Sequence, residues 1–471
     1  MNGDYVKKQT KFSIRQLLLL FLFQIAIQGQ TNFQTLSLSD CLNYALNNNP
    51  DLKKAAISVE QSKEKVREVI GTGLPQIGVN GSIVNNLELP TQLLPGDFFG
   101  APGTFQQVKF GTKYNFSLTG EINQLLFSGS FWVGLSAANQ SNDYYQQNSI
   151  LVEEETKYNV SKAYYQTLVV QEQINLLQYN QRLLLKSLSD TQLKYENGKV
   201  KQVDVDRIKV SLNNVLYQIK KGNESLEQAY NNLKYSMGMP VGLHISLSDS
   251  ISMVQNSILK NSENDFINET AIDFSFDDRI DYKILQTNLS LLELDRKNQL
   301  VQFLPTISAF GNYTMSASRT SFDLFDKGKD WFKSYSIGLR IQLPIFSGGQ
   351  RLAKINQASL EIEGMKETIN KTENGINMQV SNAKLKYSTA YENTKINKMN
   401  AELANKVYES TLLEYKEGIT NTVILVDAET KLREAQTNFI NSLLELYVAK
   451  LDLEKSKGTL LTYLNKIANN N

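Results

Sequence analysis

Residues 304–318 have the sequence LPTISAFGNYTMSAS, in which apolar and polar side chains alternate after the Leu-Pro pair. One side would carry Ile307, Ala309, Tyr313, Met315 and Ala317, and the other Ser308, Asn312, Thr314, Ser316 and Ser318, with Phe310 as the exception. Alternation with a period of two is the signature of a β-strand with one apolar and one polar face. The stretch therefore predicts a strand that contacts water on one side only.

The same pattern occurs twice in the chain. Leu74-Pro75-Gln76-Ile77 matches Leu304-Pro305-Thr306-Ile307 at a separation of 230 residues. Three further pairs match in the same order: Pro50–Lys53 with Ile280–Lys283, Gln124–Gly129 with Gln342–Gly348, and Tyr195–Gly198 with Tyr415–Gly418. We interpret the chain as two repeats, 30–239 and 276–471, joined by a linker at 240–275 that is rich in Ser, Asn and Asp.

Each repeat is predicted to contain a helix, Leu38–Ile70 in the first and Tyr282–Phe303 in the second, followed by a pair of strands. The strands lie at about 76–89 and 114–126 in the first repeat and at about 306–318 and 334–346 in the second. Each is long enough to cross a membrane when tilted. Their polar side chains would line a water-filled lumen: Asn80, Ser82, Ser117, Glu121, Asn312, Thr314 and Arg340. The alternative is an ordinary antiparallel sheet with one solvated face. The connections 90–113 and 319–333 are predicted as exposed loops.

Four strands cannot close a membrane barrel alone. An open sheet edge in lipid leaves backbone groups without hydrogen bonds, and known barrels begin at about eight strands. The sequence therefore predicts that several chains share one barrel.

Two long helical stretches follow the strand pairs. Gly129–Tyr195 and Gly348–Tyr415 contain no proline, and about 67 helical residues would extend for about 100 Å. The second has a heptad seam typical of coiled coils, at Ile355, Ile362, Ile369, Ile376, Ala383 and Ala390. Gly198 and Gly418 mark breaks before returning helices, so we predict helical hairpins at 129–237 and 348–460 with tips at these glycines. A plain cytosolic coiled coil is the alternative.

The N-terminus predicts export. Residues 1–29 combine basic residues between Lys7 and Arg15 with an apolar run from Leu17 to Ile27, which is typical of a secretory signal peptide. An uncleaved membrane anchor is the alternative.

Cys41 is the single cysteine, so no intrachain disulfide can form. We expect it to be buried in a helix, and lipid modification is the alternative.

Composition and motifs exclude several function classes. The net charge is +1, which gives no basic excess for nucleic acid. Mean hydropathy is −0.32, and no apolar stretch of about 20 residues follows position 30, which excludes a bundle of membrane helices. His244 is the only histidine, and the sequence has neither a metal-ligand cluster nor a phosphate-binding loop motif. We predict no enzyme activity and no cofactor.

The chain resembles the TolC family of outer-membrane efflux proteins over about residues 36–460. The opening segment Leu36–Leu52, LSLSDCLNYALNNNPDL, is similar to that family's leucine-rich first helix ending in Asn-Pro-x-Leu. The duplicated Leu-Pro strand entries, Phe-Ser-Gly turns and Tyr-x-x-Gly tips also match. The resemblance implies an α+β membrane protein: a homotrimer with a 12-stranded β-barrel, four strands per chain, continued by a periplasmic α-helical coiled-coil barrel. The linker would lie in an equatorial region around it.

The resemblance also implies a function. The protein would be the outer-membrane exit channel of a tripartite efflux or type I secretion system. It would passively conduct substrates that an inner-membrane pump delivers through a periplasmic adaptor. The alternative is a non-conducting structural or adhesive outer-membrane protein that spans the periplasm.

The family's periplasmic gate matches this chain in part. Asp427 and Tyr415 correspond to gate residues, and Asp204 corresponds to an acidic position that is Ile424 in the second repeat. Thr420 stands where a well-studied member of the family has a gate arginine. Asp204 has an alternative role as an acid favoured at a helix N-terminus. Three Asp427 side chains around a narrow pore would favour cations. The tip residues Gly198, Lys199, Gly418 and Thr420 are expected to contact the adaptor.

Overall fold

A computed structural model describes residues 34–251, 274–323, 326 and 328–470, with side chains up to 467. The predicted signal peptide lies outside the described residues, as does the larger part of the linker, 252–273. The chain forms two compact units. We call Ala55–Ile150 with Ile280–Asn374 the strand unit, and the described parts of Met1–Lys54, Leu151–Arg279 and Gly375–Asn471 the helical unit. Each unit takes segments from both repeats, so the units do not coincide with the repeats.

Strands and helices are numbered in chain order. The strands are β1 Gln34–Leu36, β2 Gln76–Asn85, β3 Thr91–Pro95, β4 Phe105–Lys109, β5 Tyr114–Phe127, β6 Ile245–Leu247, β7 Thr306–Arg319 and β8 Phe332–Gln342. The helices are α1 Leu38–Asn48, α2 Pro50–Thr72, α3 Gly129–Glu196, α4 Gln202–Met237, α5 Ile280–Val301, α6 Gln350–Lys416, α7 Thr422–Lys457 and α8 Leu460–Asn470. Short 3-10 turns occupy Gly96–Phe99 and Phe276–Asp278.

Strand ends and loop content in the strand unit differ from the predictions. β2 ends at Asn85 rather than 89, and just beyond it the Asn86 side chain donates to the Thr112 carbonyl (2.9 Å). Residues 90–113, predicted as an exposed loop, contain the hairpin β3–β4, paired from Thr91–Lys109 to Pro95–Phe105. β8 ends at Gln342 rather than 346, since Pro344 has no N–H to donate to a ladder.

The first helix and the C-terminal end also differ from expectation. The sequence pattern predicts a single helix from Leu38 to Ile70, but the structure has α1 and α2 with Asn49 between them in an extended conformation (φ −61°, ψ 127°). Pro50 disfavours a helical conformation at the residue before it. At the other end, α7 stops at Gly458, whose φ is +79°, and a separate α8 follows.

Four strands form one antiparallel sheet in the order β2-β5-β7-β8. β5 and β7 are central, and β2 and β8 are the edges. The apolar face is exposed along much of the sheet, with Ile77 78% and Ile337 91% accessible. An antiparallel sheet normally buries its apolar face, so this chain carries a large surface that needs another apolar medium.

The helical unit buries its core among α1, α3, α4, α7 and α8. Tyr165 of α3 stacks on Tyr447 of α7 with ring centroids 4.3 Å apart. β1 and β6 pair in parallel beside this core.

Cys41 is fully buried in α1, as predicted, and burial raises the pKa of its thiol to about 12. In the part of the chain that the structure describes, no helix combines the length and the apolar composition that crossing a membrane would require.

Candidate functional site

The first candidate site is the polar face of the sheet in the strand unit. The strand register places all seven predicted lumen residues on this one face. Direct contacts join neighbours: the Ser82 and Ser117 hydroxyls lie 2.8 Å apart, and the Asn80 amide donates to the Glu121 carboxylate (3.2 Å). The Thr314 hydroxyl is 3.0 Å from the Thr119 hydroxyl. Hydroxyls and amides thus form a continuous polar surface across three strands.

Two charged side chains, Glu121 and Arg340, lie on this face of the described strands. Glu121 is opposite Asn312, and Arg340 is opposite Ser308, four residues away along β7. At about 3.3 Å per residue, the two rows are about 13 Å apart. The face therefore carries opposite charges at two levels.

Phe310 breaks the alternation for a local reason. It lies on the polar face opposite Gly338, where an added Cβ would come within 2.8 Å of the Phe310 ring. The Arg340 guanidinium lies 5.3 Å from the ring centroid, a cation–π distance. The aromatic ring thus fills the space above a glycine that has no side chain.

The second candidate site is formed by the two hairpin tips of the helical unit. At the first tip, α3 ends at Glu196 and Gly198 adopts a φ of +71°. The Gly198 N–H donates to the Tyr195 carbonyl and the Lys199 N–H to the Lys194 carbonyl, which satisfies the last carbonyls of α3. Gly198 and Lys199 are both exposed.

Asp204 stabilises the start of α4. Its carboxylate accepts the Lys201 backbone N–H (3.2 Å) and forms an ion pair with Arg207 (3.3 Å). Acids in the first turn complement the helix dipole, so these contacts explain Asp204 by its alternative role at a helix N-terminus. No other candidate gate residue is brought against it by a described contact.

The second tip uses a different cap. Gly418 adopts a φ of +78°, and the Asn421 side chain accepts the backbone N–H groups of Val423 and Ile424 (3.0 and 3.2 Å). Thr420 is half-buried, and Ile424 is half-exposed at the position that corresponds to Asp204. Asp427 is exposed and makes no hydrogen bond or ion pair with the described residues of its own chain. Its carboxylate therefore remains available to solvent.

Tyr415 connects the second hairpin to the first. Its side chain is buried, with 4% of the residue exposed, and its hydroxyl lies 2.7 Å from that of Thr191 on α3. The Lys194 ammonium donates to the Tyr415 backbone carbonyl (2.7 Å) and lies 4.2 Å from the ring centroid. The structure thus surrounds one predicted gate residue with two α3 residues that the sequence did not single out.

Glu429 of α7 is a second residue that sequence reasoning missed. It is 3% exposed, and its oxygens lie 3.4 Å from Ser211 of α4 and from Arg433. Burial raises the pKa of Glu429, while Arg433 and Ser211 oppose that shift. The Glu-x-x-x-Arg spacing was visible in the sequence, but it is also the pattern of a solvated helix face.

Among the residues that the structure describes, no group of three or more His, Cys, Asp or Glu side chains is placed so that it could hold a metal ion.

A sheet with a polar face and an exposed apolar face, combined with two long helical hairpins, defines the class of outer-membrane channel subunits. The match to known families agrees with this class. The family model described as "Outer membrane efflux protein" matches residues 41–239 and 292–459, more than half of the chain. The chain belongs to this family, whose members are channels of the outer membrane rather than enzymes.

Curated relatives include two proteins named outer membrane protein TolC. The one from Vibrio cholerae serotype O1 (strain ATCC 39315 / El Tor Inaba N16961) is 22% identical over 90% of this chain and 91% of its own length. The one from Salmonella enteritidis is 22% identical over 94% of this chain and 86% of its own length. The likeness therefore extends over nearly the full length of both proteins.

Solved structures show the same fold. CusC aligns with a TM-score of 0.70 at 16% identity, covering 90% of this chain and 92% of its own. The outer membrane protein VceC from Vibrio cholerae aligns with a TM-score of 0.68 at 15% identity, covering 89% and 96%. These likenesses confirm the predicted fold class, the α+β fold of these channels, to which this chain contributes a four-stranded sheet. The protein resides in the outer membrane.

Proposed function

We propose that this chain is the exit channel of a tripartite efflux or type I secretion system and conducts its substrates passively. The observation that carries the proposal is the sheet with one polar and one exposed apolar face. In a bilayer the apolar face would contact lipid, and the polar face with Asn80, Ser117 and Thr314 would line the lumen.

The two sheet edges support closure by three copies. β2 has 10 residues and β8 has 11, and among the described strands neither has a partner on its outer side. Alternating directions across β2-β5-β7-β8 make β8 of one copy antiparallel to β2 of the next. Three copies would give 12 strands with every edge paired, which satisfies the backbone in lipid.

The hairpin tips are proposed to receive a periplasmic adaptor bound to an inner-membrane pump. Gly198 and Lys199 at the first tip and Gly418 at the second are exposed, and half-buried Thr420 follows Gly418 by two residues. A passive channel provides no energy for transport, so the pump would provide it. Asp427 and Tyr415 are proposed gate residues, with Asp204 acting through its helix cap.

The experiment is single-channel recording of purified protein in a planar bilayer, with the oligomer mass measured by light scattering. We expect a trimer with discrete conductance levels. Two neighbouring substitutions test the faces: Ile337→Lys on the exposed apolar face and Ser336→Lys on the polar face. A lysine facing lipid at mid-membrane costs about 2–4 kcal/mol, so Ile337→Lys should reduce assembly while Ser336→Lys inserts normally.

Two results would contradict the proposal. A stable trimer that never conducts, at any pH or salt, would favour the structural or adhesive alternative. Equal assembly of Ile337→Lys and Ser336→Lys would contradict the assignment of the faces.

A further inference from the structure

Lys194 makes an unusual pair of contacts at the hairpin tips. It lies in the last turn of α3, and its ammonium reaches the second hairpin, where it donates to the Tyr415 carbonyl (2.7 Å). The same ammonium lies 4.2 Å from the Tyr415 ring centroid. One cation therefore binds both the backbone and the ring of one buried tyrosine.

The position of this cation suits two helices at once. The last carbonyls of a helix carry partial negative charge. Lys194 lies in the final turn of α3, and Tyr415 is the penultimate residue of α6. The Lys194 ammonium therefore lies near the C-termini of both α3 and α6, and its positive charge offsets the partial negative charge of both helix ends.

This link is made by one repeat only. Counted from the tip glycines, Lys194 corresponds to Glu414, and Tyr415 corresponds to Tyr195, which is 39% exposed. A carboxylate at position 414 cannot donate to a carbonyl, so the reciprocal contact is chemically impossible. The hairpins are joined asymmetrically, with the first supplying the cation and the second the tyrosine.

The surroundings leave room for the contact to open. A cavity of about 240 Å³ adjoins it, lined by Ser187, Asp190, Leu193, Lys194, Leu412, Tyr415 and Lys416. The contact is thus at the edge of the hairpin packing and not enclosed in the core.

We propose that Lys194 is the positioning residue that holds the second hairpin against the first and thereby sets the resting separation of the two tips. The cation in this contact comes from the first hairpin and the tyrosine from the second. This inference rests on the proposed channel function, because the separation of the tips would determine the closed state of the duct.

The test measures tip separation directly and conduction separately. Spin labels are placed at the matching exposed positions Asn197→Cys and Glu417→Cys, in trimers diluted with unlabelled chains. Cys41 is buried and stays unlabelled. The variants are Lys194→Met, which removes the charge, and Lys194→Arg, which keeps it. Lys186→Met is the matched control, since Lys186 is exposed on the same helix and makes no hydrogen bond, ion pair or ring contact with the described residues.

We expect Lys194→Met to shift the label distances to larger values and to raise the population of separated tips about tenfold, the effect of losing one charge-assisted hydrogen bond. Lys194→Arg and Lys186→Met should keep the wild-type distribution. If Lys194→Met does not form trimers, Lys194→Gln takes its place with the same expectation.

Three outcomes decide the matter. Unchanged distances in the charge-removing variant would overturn the proposal. If Lys194→Arg shows the same increase in label distance as Lys194→Met, the proposal would also be overturned, because the lysine side chain's aliphatic part and not its charge would then be responsible. A preparation that shows the shift but never conducts would refute the channel function while supporting the role of Lys194.

Discussion

The two hairpin tips have the same backbone and different side-chain chemistry. Both end a helix of nearly equal length with Tyr-x-x-Gly, a glycine in the left-handed region and the same pair of terminal hydrogen bonds. They then diverge. The first tip caps its next helix with the carboxylate of Asp204, and the second with the amide of Asn421.

The divergence continues one turn further along each returning helix. Nine residues after the glycine, the first repeat has Arg207, which pairs with Asp204, and the second has Asp427, which is exposed. The first repeat therefore neutralises its acid internally, whereas the second leaves its acid available. The comparison teaches that the cap and the ion pair give Asp204 a structural role within its own hairpin, whereas no such contact among the described residues explains Asp427.

The largest expected difference between the tips concerns their tyrosines. Tyr415→Ala should destabilise the helical unit by about 3 kcal/mol, since it removes a buried ring and its bond to Thr191. Tyr195→Ala, at an exposed site, should stay within about 0.5 kcal/mol. Denaturant unfolding of the two variants measures both. Similar losses would show that the two tips are not distinguished by burial.

The glycines should behave alike. Gly198→Ala and Gly418→Ala force an L-residue into the left-handed region, which costs about 1–2 kcal/mol. An added Cβ at either position would meet no atom of the described chain within 4 Å, so the loss comes from the backbone alone. Hydrogen exchange of the tip amides is the suitable readout. A much larger loss of local stability at one glycine would show that the backbones of the two tips are not equivalent.

The caps should differ moderately. Asn421→Ala removes an N-cap that accepts two N–H groups and should cost about 1 kcal/mol. Asp204→Ala should cost less, since its ion pair with half-exposed Arg207 is worth about 0–1 kcal/mol. Exchange rates in the first turns of α4 and α7 compare them within each protein. A larger loss at Asp204 would reverse the assignment of the stronger cap.

The smallest expected effect is on ion preference. Asp427→Ala should lower the cation preference of the open channel by roughly twofold, because a ring of exposed carboxylates is lost. Asp204→Ala should leave it unchanged, since Arg207 already offsets that charge. Reversal potentials under a salt gradient provide the measurement. An unchanged preference in Asp427→Ala would remove this residue from the gate.

Features set by neighbouring residues could be predicted from the sequence. The faces of β7 follow from alternation within residues 306–319, and the tips follow from a short Tyr-x-x-Gly motif. The residue pattern alone does not predict the helix break at Asn49, because apolar positions continue on both sides, although Pro50 and the similarity to a first helix ending in Asn-Pro-x-Leu both indicate it. The hairpin β3–β4 was missed because glycine and proline in 95–103 resemble those of an irregular loop.

Contacts between distant residues could not be predicted. Thr191 and Lys194 meet Tyr415 across more than two hundred residues, and their meeting depends on how the two hairpins pack. The same limit applies to Glu429, whose buried carboxylate contacts Ser211 of α4, more than two hundred residues away along the chain. Periodicity reports which face of an element is apolar, but it does not report what covers that face.

The exposed apolar face of the sheet has a consequence for biogenesis. A newly made single chain would carry this face and two open edges through water, and both features promote aggregation. If three copies close one barrel, as proposed, they must therefore meet at a membrane before their open edges pair with other exposed strands. Shielding of the unassembled chain on its way to the outer membrane becomes a physical requirement, and the yield of correct trimers should depend on how long that shielding lasts.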